Sequence, residues 1–470
     1  MSALHWFRKD LRIKDNISLM NALNKNCRNA VFVFDTHILN KLNYNTDRRV
    51  QFIAESLKEL SENLLMVNVQ LHVLHGKPEI VIPELCNSLS IDSLFYNRDY
   101  EPYAVKRDSQ INDLCKILNI KVYNFKDAVI FEKDEILKQD NTPYHVFTAY
   151  KNKWLDTFKT TILSFNKNKS IITHKKSNFI NKTTFNIEFW MKKIGFNSTE
   201  NEFLGGESKG YQLLDEFSKK INFYHESRDF VQLKGTSNLS VYLRFGCVSI
   251  RDCVTLGLNT EGKGAQVWLS ELIWREFYSM ILSTYPHTES QAFKSVYDKI
   301  NWHQDDYLFN AWVQGKTGFP IIDASMRCLN QTGRLHNRLR MVVASFFCKT
   351  LCLDWRLGER YFASKLLDFD LASNVGGWQW SASTGCDSAP YFRIFNPWLQ
   401  SKKFDNAAGF MKKWLPELQS IESKSFHDLS LLKDSLVRSF GINHNMYMNP
   451  VVNYKNQRDE ALKMYSIIKQ

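Results

Sequence analysis

Along the first 125 residues, short apolar runs alternate with longer amphipathic stretches. Candidate strands are Ala3–Phe7, Ala30–Phe34, Val69–Leu74, Ser93–Tyr96 and Ile120–Tyr123. Between them lie helix-like segments such as Arg48–Leu65 and Glu79–Leu89. This alternation predicts an α/β domain built on a parallel five-stranded sheet. No GxGxxG follows the first strand, so a dinucleotide site of the usual type is not supported there. From 126 to 205 the pattern weakens, and Asn166–Thr184, rich in Lys, Asn and Ser, reads as an exposed connector. From 206 onward a helical period dominates, as in Val267–Thr284, Phe319–Cys328 and Arg338–Cys352. The pattern therefore predicts three segments: an α/β domain over 1–125, a connector over 126–205 and a large all-α domain over 206–470. No internal repeat is visible.

Composition narrows this picture. The chain has 470 residues, and its 61 basic side chains exceed the 49 acidic ones by 12. Such an excess fits either a polyanionic partner or a generally Lys-rich surface. The opening MSALHWFRKDLR holds no apolar run of signal-peptide length, and no later stretch has the ~18 uncharged apolar residues of a membrane span. Nine scattered cysteines, without a CxxC pair or zinc spacing, fit a reducing compartment. A cytoplasmic protein without membrane contact is the expectation. Nine of the 12 Trp lie beyond residue 260, a concentration that core packing alone need not produce.

Four stretches carry candidate chemistry. Gly235-Thr236-Ser237-Asn238-Leu239-Ser240 follows Tyr224 and Arg228. A Gly before small hydroxyl residues at a helix start offers donors to a diphosphate, or simply makes a capping turn. In Trp268-Leu-Ser-Glu271-Leu-Ile-Trp274-Arg275-Glu-Phe-Tyr278, helical spacing puts Glu271, Trp274, Arg275 and Tyr278 on one face. That set suits stacking a base and reading its edge, or a solvated ion pair beside a core Trp. In His336-Asn337-Arg338-Leu-Arg340-Met341, Asn337 and Met341 share a face. An amide beside a thioether suits a flat polar ligand, and the arginines suit phosphate or carboxylate; a basic surface helix is the bland reading. The most specific stretch runs Asp368-Phe369-Asp370-Leu-Ala-Ser-Asn374-Val-Gly-Gly-Trp378-Gln-Trp380. Two acids and an Asn before Gly-Gly are costly to bury unless something uses them.

These blocks, with HWFRKDLRIKDN, GKTGFPIIDASMR, DWRLGERYF and APYFRIFNP, resemble the photolyase/cryptochrome family in its order, over nearly the whole chain. The likeness is greatest to bacterial class I photolyases that repair cyclobutane pyrimidine dimers. The resemblance implies that the all-α domain binds FAD and that blue light drives one electron from reduced FAD to a dimer flipped out of DNA. The ring then opens and the electron returns; photolyases are a stock example of base flipping. Carried over by position, the FAD contacts are Tyr224, Thr236, Ser237, Asn238, Leu239, Ser240, Trp268, Arg340, Asp368, Phe369, Asp370 and Asn374. Asn374 falls where the family faces flavin N5. A neutral amide there is expected to disfavour keeping N5 protonated after oxidation, and so to favour the fully reduced anion. Glu271, Trp274, Asn337, Arg338, Met341 and Trp380 fall in the lesion pocket, with Glu271 steadying the dimer radical anion. Arg228, Arg275, Tyr278 and Gln400 fall at the DNA strand. Trp378, Trp355 and Trp302 fall on the family's electron-hopping chain. The implied partner is single- or double-stranded DNA carrying pyrimidine dimers, met by a monomer.

The sequence departs from the family pattern at three places. Arg334 replaces a Trp, and Val375 replaces the second Asn before Gly-Gly. In the folate-binding segments, Tyr103 and Ala104 replace Asn and Glu, and His287–Gln291 lacks the Cys and Lys. These losses leave open whether methenyltetrahydrofolate serves as antenna. Two rivals stand beside repair: a cryptochrome-like photosensor without repair activity, and a dark flavin oxidoreductase. The latter lacks a nicotinamide fingerprint.

Overall fold

A computed structural model of the chain describes residues 2–165, 185–441, 446–447 and 449–466. The connector expected over 166–184 lies outside the described residues. The chain forms two compact units, Met1–Asn222 with Ser237–Thr284 and Phe223–Thr236 with Tyr285–Gln470. These units cut the chain at other places than the three compositional segments.

The first unit is built on five parallel strands: β1 (Ala3–Phe7), β2 (Asn29–Asp35), β3 (Gln70–Gly76), β4 (Ser93–Asn97) and β5 (Lys121–Phe125). Their order is β3-β2-β1-β4-β5, so the winding reverses beside β1. β1 and β4 are buried throughout, which is why they read as short continuous apolar runs. The helices α1 (Arg48–Met66), α2 (Pro78–Ser88) and α3 (Pro102–Ile117) connect strands, and Pro opens both α2 and α3, where its missing N–H costs nothing.

The later helices α5 (Ser240–Arg244) and α6 (Lys263–Thr284) belong to this unit for electrostatic and steric reasons. Asp127, fully buried, receives Arg12 at 2.8 Å and Arg251 at 2.6 Å. Arg251 also meets Asp15 at 2.7 Å. Leu11 N–H donates to the Phe245 carbonyl at 3.1 Å. Next to it Gly246 sits at φ +64°, where a Cβ would lie 2.0 Å from the Lys9 carbonyl oxygen, so only glycine permits this approach. On α6, Glu276 accepts from Ile130 N, Phe131 N and Trp154 Nε1 at 2.6, 3.1 and 2.6 Å, tying α6 to the segment after β5 and to α4 (Phe147–Phe165).

The second unit is helical: α7 (Asp306–Gln314), α8 (Pro320–Thr332), α9 (Asn337–Lys349), α10 (Trp355–Lys365), α11 (Leu371–Ser381) and α12 (Pro397–Phe404). Its core gathers buried Trp312, Phe347, Trp355, Phe362 and Trp378. Three of the nine late tryptophans are thus packing residues whatever else they do. The fold is the one expected, an α/β N-terminal domain with a parallel five-stranded sheet and a large all-α C-terminal part. All nine cysteines are free and buried. Among the described residues no helix is long and apolar enough to cross a membrane.

Candidate active site

In the first unit, α6 presents the face expected of it. Trp268 is buried against Phe217 (ring centroids 4.9 Å apart), while Glu271, Trp274, Arg275 and Tyr278 are half-buried. Trp274 stacks flat on Phe147, 3.7 Å between centroids and 10° between planes, and Tyr278 lies 5.4 Å from it. Stacking on Phe147 therefore fixes the plane of the indole. Arg275 donates to the Ala128 carbonyl at 2.7 Å, which anchors its guanidinium. Before α5, Ser237 and Asn238 are half-buried, Leu239 is buried, and Ser240 is exposed as the first residue of the helix. Asn238 adopts φ +56°, so the backbone turns sharply there.

In the second unit, the Gly235–Thr236 turn follows Tyr224, which is buried and has the Arg228 guanidinium 5.3 Å over its ring. Gly235 is pressed on Ser227: a Cβ would fall 2.4 Å from its Oγ. On α9, His336 is spent as the N-cap, its Nδ1 accepting from Arg338 N at 3.2 Å. Asn337 is exposed and Met341, one turn on, is half-buried. Arg338 pairs with Asp229 at 2.9 Å and lies 4.5 Å over Phe404. Gln400 on α12 and Trp380 on α11 are half-buried.

Arg340 and Asp368 form an ion pair, at 2.9 Å to both carboxylate oxygens. Asp370 is the N-cap of α11, accepting from Ser373 N at 2.9 Å, and Phe369 packs on the core beside it. Asn374 follows one turn into α11, only 8% exposed. Its Nδ2 donates to Glu359, while its Oδ1 accepts no hydrogen bond among the described residues. Gly377, one turn further, has nothing within 4 Å of where a Cβ would be. An Asn374 oxygen to which no group donates among the described residues, and open space beside Gly377 on the same helix, leave room for a flat ring rich in N–H and C=O groups.

Trp378 and Trp355 are fully buried and Trp302 is half-buried, all in or against one core. The Trp378 indole presses on Gly358, one turn along α10 from Trp355: a Cβ at 358 would be 2.1 Å from Trp378 Cη2. The indole nitrogens of Trp302 and Trp378 are buried without a hydrogen-bond partner among the described residues. Several residues escaped the sequence reading. Trp312 lies 6.0 Å from Trp378, and Gln379, between the two site tryptophans, ties Thr288, Gln291 and Phe293 through three bonds of 2.9 Å. Lys349, buried in α9, donates to Ser383 at 2.7 Å. Burial holds its pKa down at about 8. Only the density of quoted blocks around these residues hinted at them.

The segment where relatives hold folate also has its geometry. Tyr103 donates to Asp35 at 2.7 Å and stacks on His37 at 4.3 Å. At the ends of β1 and β4, where the winding reverses and α/β folds tend to bind ligands, Arg8 pairs with Asp108 at 2.5 Å and lies 4.5 Å over Trp6. Lys9 there reaches Asp99 and Glu101 at 2.9 and 2.8 Å.

Residues 268–467 match the FAD binding domain of DNA photolyase, and residues 3–167 match the DNA photolyase family. The chain is 36% identical to the deoxyribodipyrimidine photo-lyase of Vibrio cholerae, over 99% of both chains. The chain belongs to the DNA photolyase family. It is also 35% identical to the deoxyribodipyrimidine photo-lyase of Escherichia coli, covering 98% of each chain. Among solved structures, a class III photolyase of Agrobacterium tumefaciens superposes with TM-score 0.86 at 28% identity, over 100% of this chain and 98% of that one. An archaeal photolyase of Sulfolobus tokodaii holding two FAD molecules gives 0.80 at 32%, over 99% and 100%. A cryptochrome of Synechocystis gives 0.82 at 26%, over 98% and 99%. The photolyase is therefore an FAD-dependent one, with the cofactor's domain in its C-terminal half.

Proposed function

We propose that the protein repairs cyclobutane pyrimidine dimers in DNA under blue light. The observation that carries the choice of lesion is the face of α9. Relatives that repair the 6-4 photoproduct need a second active-site histidine near this helix, and here Asn337 and Met341 stand one turn apart, while His336 is turned back as the N-cap. The +12 charge supports a polyanionic substrate. When bound, reduced FAD supplies the light-excited electron that opens the cyclobutane ring and receives it back.

The chain's own residues bind and orient. Trp274, braced on Phe147, and Trp380 flank the extruded dimer, and the Glu271 carboxyl hydrogen-bonds a thymine edge. Arg228, Arg275, Tyr278, Arg338 and Gln400 meet the strand. Tyr224, Thr236, Ser237, Asn238, Leu239, Ser240, Trp268, Arg340, Asp368, Phe369, Asp370 and Asn374 hold FAD. Trp378, Trp355 and Trp302 carry electrons to it from the surface. The protein works as a monomer in the cytoplasm. Methenyltetrahydrofolate as antenna remains open, because Tyr103 is committed to Asp35 and His37.

The test uses two oligonucleotides, one with a thymine cyclobutane dimer and one with a 6-4 photoproduct. Purified protein with reduced FAD is expected to restore the first under blue light and leave the second unchanged. Repair of the second, or equal restoration in darkness, sinks the reading; binding without repair returns the cryptochrome-like alternative. In the same assay Trp302→Phe is expected to block photoreduction of oxidised enzyme yet spare repair by pre-reduced enzyme.

A further inference from the structure

Lys349 ends α9 and is only 1% exposed, yet nothing above employs it. It forms no ion pair among the described residues. Its partners are neutral oxygens: Ser383 Oγ at 2.7 Å, the Arg393 carbonyl at 3.3 Å and the Pro390 carbonyl at 3.5 Å. Ser383 Oγ spends its own hydrogen on the Ala389 carbonyl at 2.5 Å, so toward Lys349 it only accepts. Three acceptors therefore face one nitrogen, and only the ammonium form has three hydrogens to give. A buried cation without a counter-charge is costly, so its retention calls for a use.

What Lys349 holds is the chain that leaves α11. The Trp380 carbonyl accepts from Ser383 N at 3.3 Å and from Ala389 N at 3.2 Å. Ser383, Pro390 and Arg393 converge in turn on the Lys349 nitrogen. Behind them Tyr465, in the helix Tyr454–Ser466, donates to the Ala382 carbonyl at 2.5 Å, and its ring lies 6.0 Å from the ammonium. The end of α9 is thus tied to the end of α11 through one side chain.

We propose that Lys349 is a positioning residue for Trp380, fixing the indole against which the extruded dimer lies. The inference rests on the reading that Trp380 flanks the dimer. Without its third hydrogen, the amine turns a lone pair toward one of three oxygens, and part of the 383–393 stretch is released. Burial, joined by Arg393 and opposed by Cys348, holds the Lys349 pKa down at about 8. Among the other titratable groups around it, burial pushes Cys348 and Tyr465 well above their ordinary values and Cys352 up to about 12. Of these four, Lys349 is the one that loses its proton between pH 7 and pH 9.

The test is dark binding of the FAD-loaded holoprotein to two duplexes, one with a thymine cyclobutane dimer and one undamaged, read as the ratio of the two affinities. Loss of a positive charge as such weakens both and leaves the ratio, whereas a misplaced Trp380 weakens only the first. Lys349→Met is expected to lower the ratio roughly tenfold. Trp380→Ala is expected to lower it at least as far, and the double variant K349M/W380A no further than W380A. The wild-type ratio is expected to fall between pH 7 and pH 9 and the K349M ratio to stay flat, a difference that a purely structural role does not produce. A wild-type protein without preference for the dimer, or an undiminished ratio in W380A, overturns the reading of Trp380 and the proposal with it. A low ratio in W380A, with K349M keeping either the wild-type ratio or the wild-type pH profile, overturns the role of Lys349 alone. If K349M does not retain FAD, the pH profiles of wild type and W380A decide. A fall in wild type against a flat W380A supports the proposal, and equal profiles overturn it.

Discussion

The two units handle buried charge in opposite ways. In the first, charges close on one another: Asp127 takes both Arg12 and Arg251, and Arg8 takes Asp108 at the crevice where a sheet of this winding tends to bind ligands. In the second, the polar groups beside the site are only half used. The Arg340 side chain stays 29% exposed in its pair with Asp368, and Asn374 commits its nitrogen while its oxygen stays open. The difference teaches where binding resides. A fully satisfied charge cluster rigidifies a fold and offers nothing further, whereas a half-satisfied one is costly unless a ligand completes it. The first unit therefore closes its buried charges on one another, whereas the second leaves groups at Arg340 and Asn374 open to a ligand.

The sharpest way to break this comparison is to cut one ion pair in each unit. Arg12→Met leaves the buried Asp127 with one partner, and we expect it to cost about 3–5 kcal/mol in urea unfolding. Arg340→Met, at a pair that is partly wet, is expected to cost ~1 kcal/mol but to strip FAD from the purified protein. Equal stability losses, or loss of FAD from the Arg12 variant alone, would erase the distinction. Next in size is Gly358→Ala. With Trp378 lying on Gly358, the added methyl forces the indole or α10 to move, costing about 1–3 kcal/mol in the same measurement. Slower photoreduction of oxidised FAD should accompany it.

Glu359→Gln is expected to act in the other direction, and only at high pH. Burial raises the Glu359 pKa to about 6, against the nearby Asn374 hydrogen bond and Arg360 and with Glu289. Below the pKa of the unfolded chain the neutral acid is buried at no ionisation cost. That stability is lost as pH rises through about 6. The stability of the Gln variant relative to wild type should therefore climb by about 2 kcal/mol between pH 4 and pH 8, and a flat difference would mean that the carboxyl ionises freely. The smallest effect belongs to the antenna segment. Tyr103→Phe removes the phenol hydrogen bond to Asp35 and should cost ~1 kcal/mol while leaving flavin-driven repair intact. A drop in repair would show that the segment serves light capture after all.

Much of the fold was legible because its signals are local. All five strands are short apolar runs bounded by turn residues, and each lies within two residues of its expected limits. α6 begins at Lys263, four residues earlier than Val267, because Gly264 and Ala265 carry no apolar period. Gly264 is there for contact, since a Cβ would fall 2.2 Å from the Ile221 carbonyl oxygen. α9 stops at Lys349 and not at Cys352, and Thr350 and Leu351 fold back on Phe346, which accepts from both their N–H groups at 2.9 Å. Neither end could be read from spacing.

By itself the sequence determined the element types, the family, the polar face of α6 and the pairing of Asn337 with Met341, because each depends on residues within one helix turn, one strand or one contiguous block. The tertiary structure alone decided that 237–284 joins the sheet unit, through contacts such as Arg251 on Asp127 across 124 residues. It alone decided that Trp378 rests on Gly358, and that Glu359 turns the Asn374 amide. Those are matters of which atom of a side chain meets which neighbour. A pattern of residue types specifies that a polar group is buried, but hydrogen bonding across the chain decides which end of it remains for a ligand.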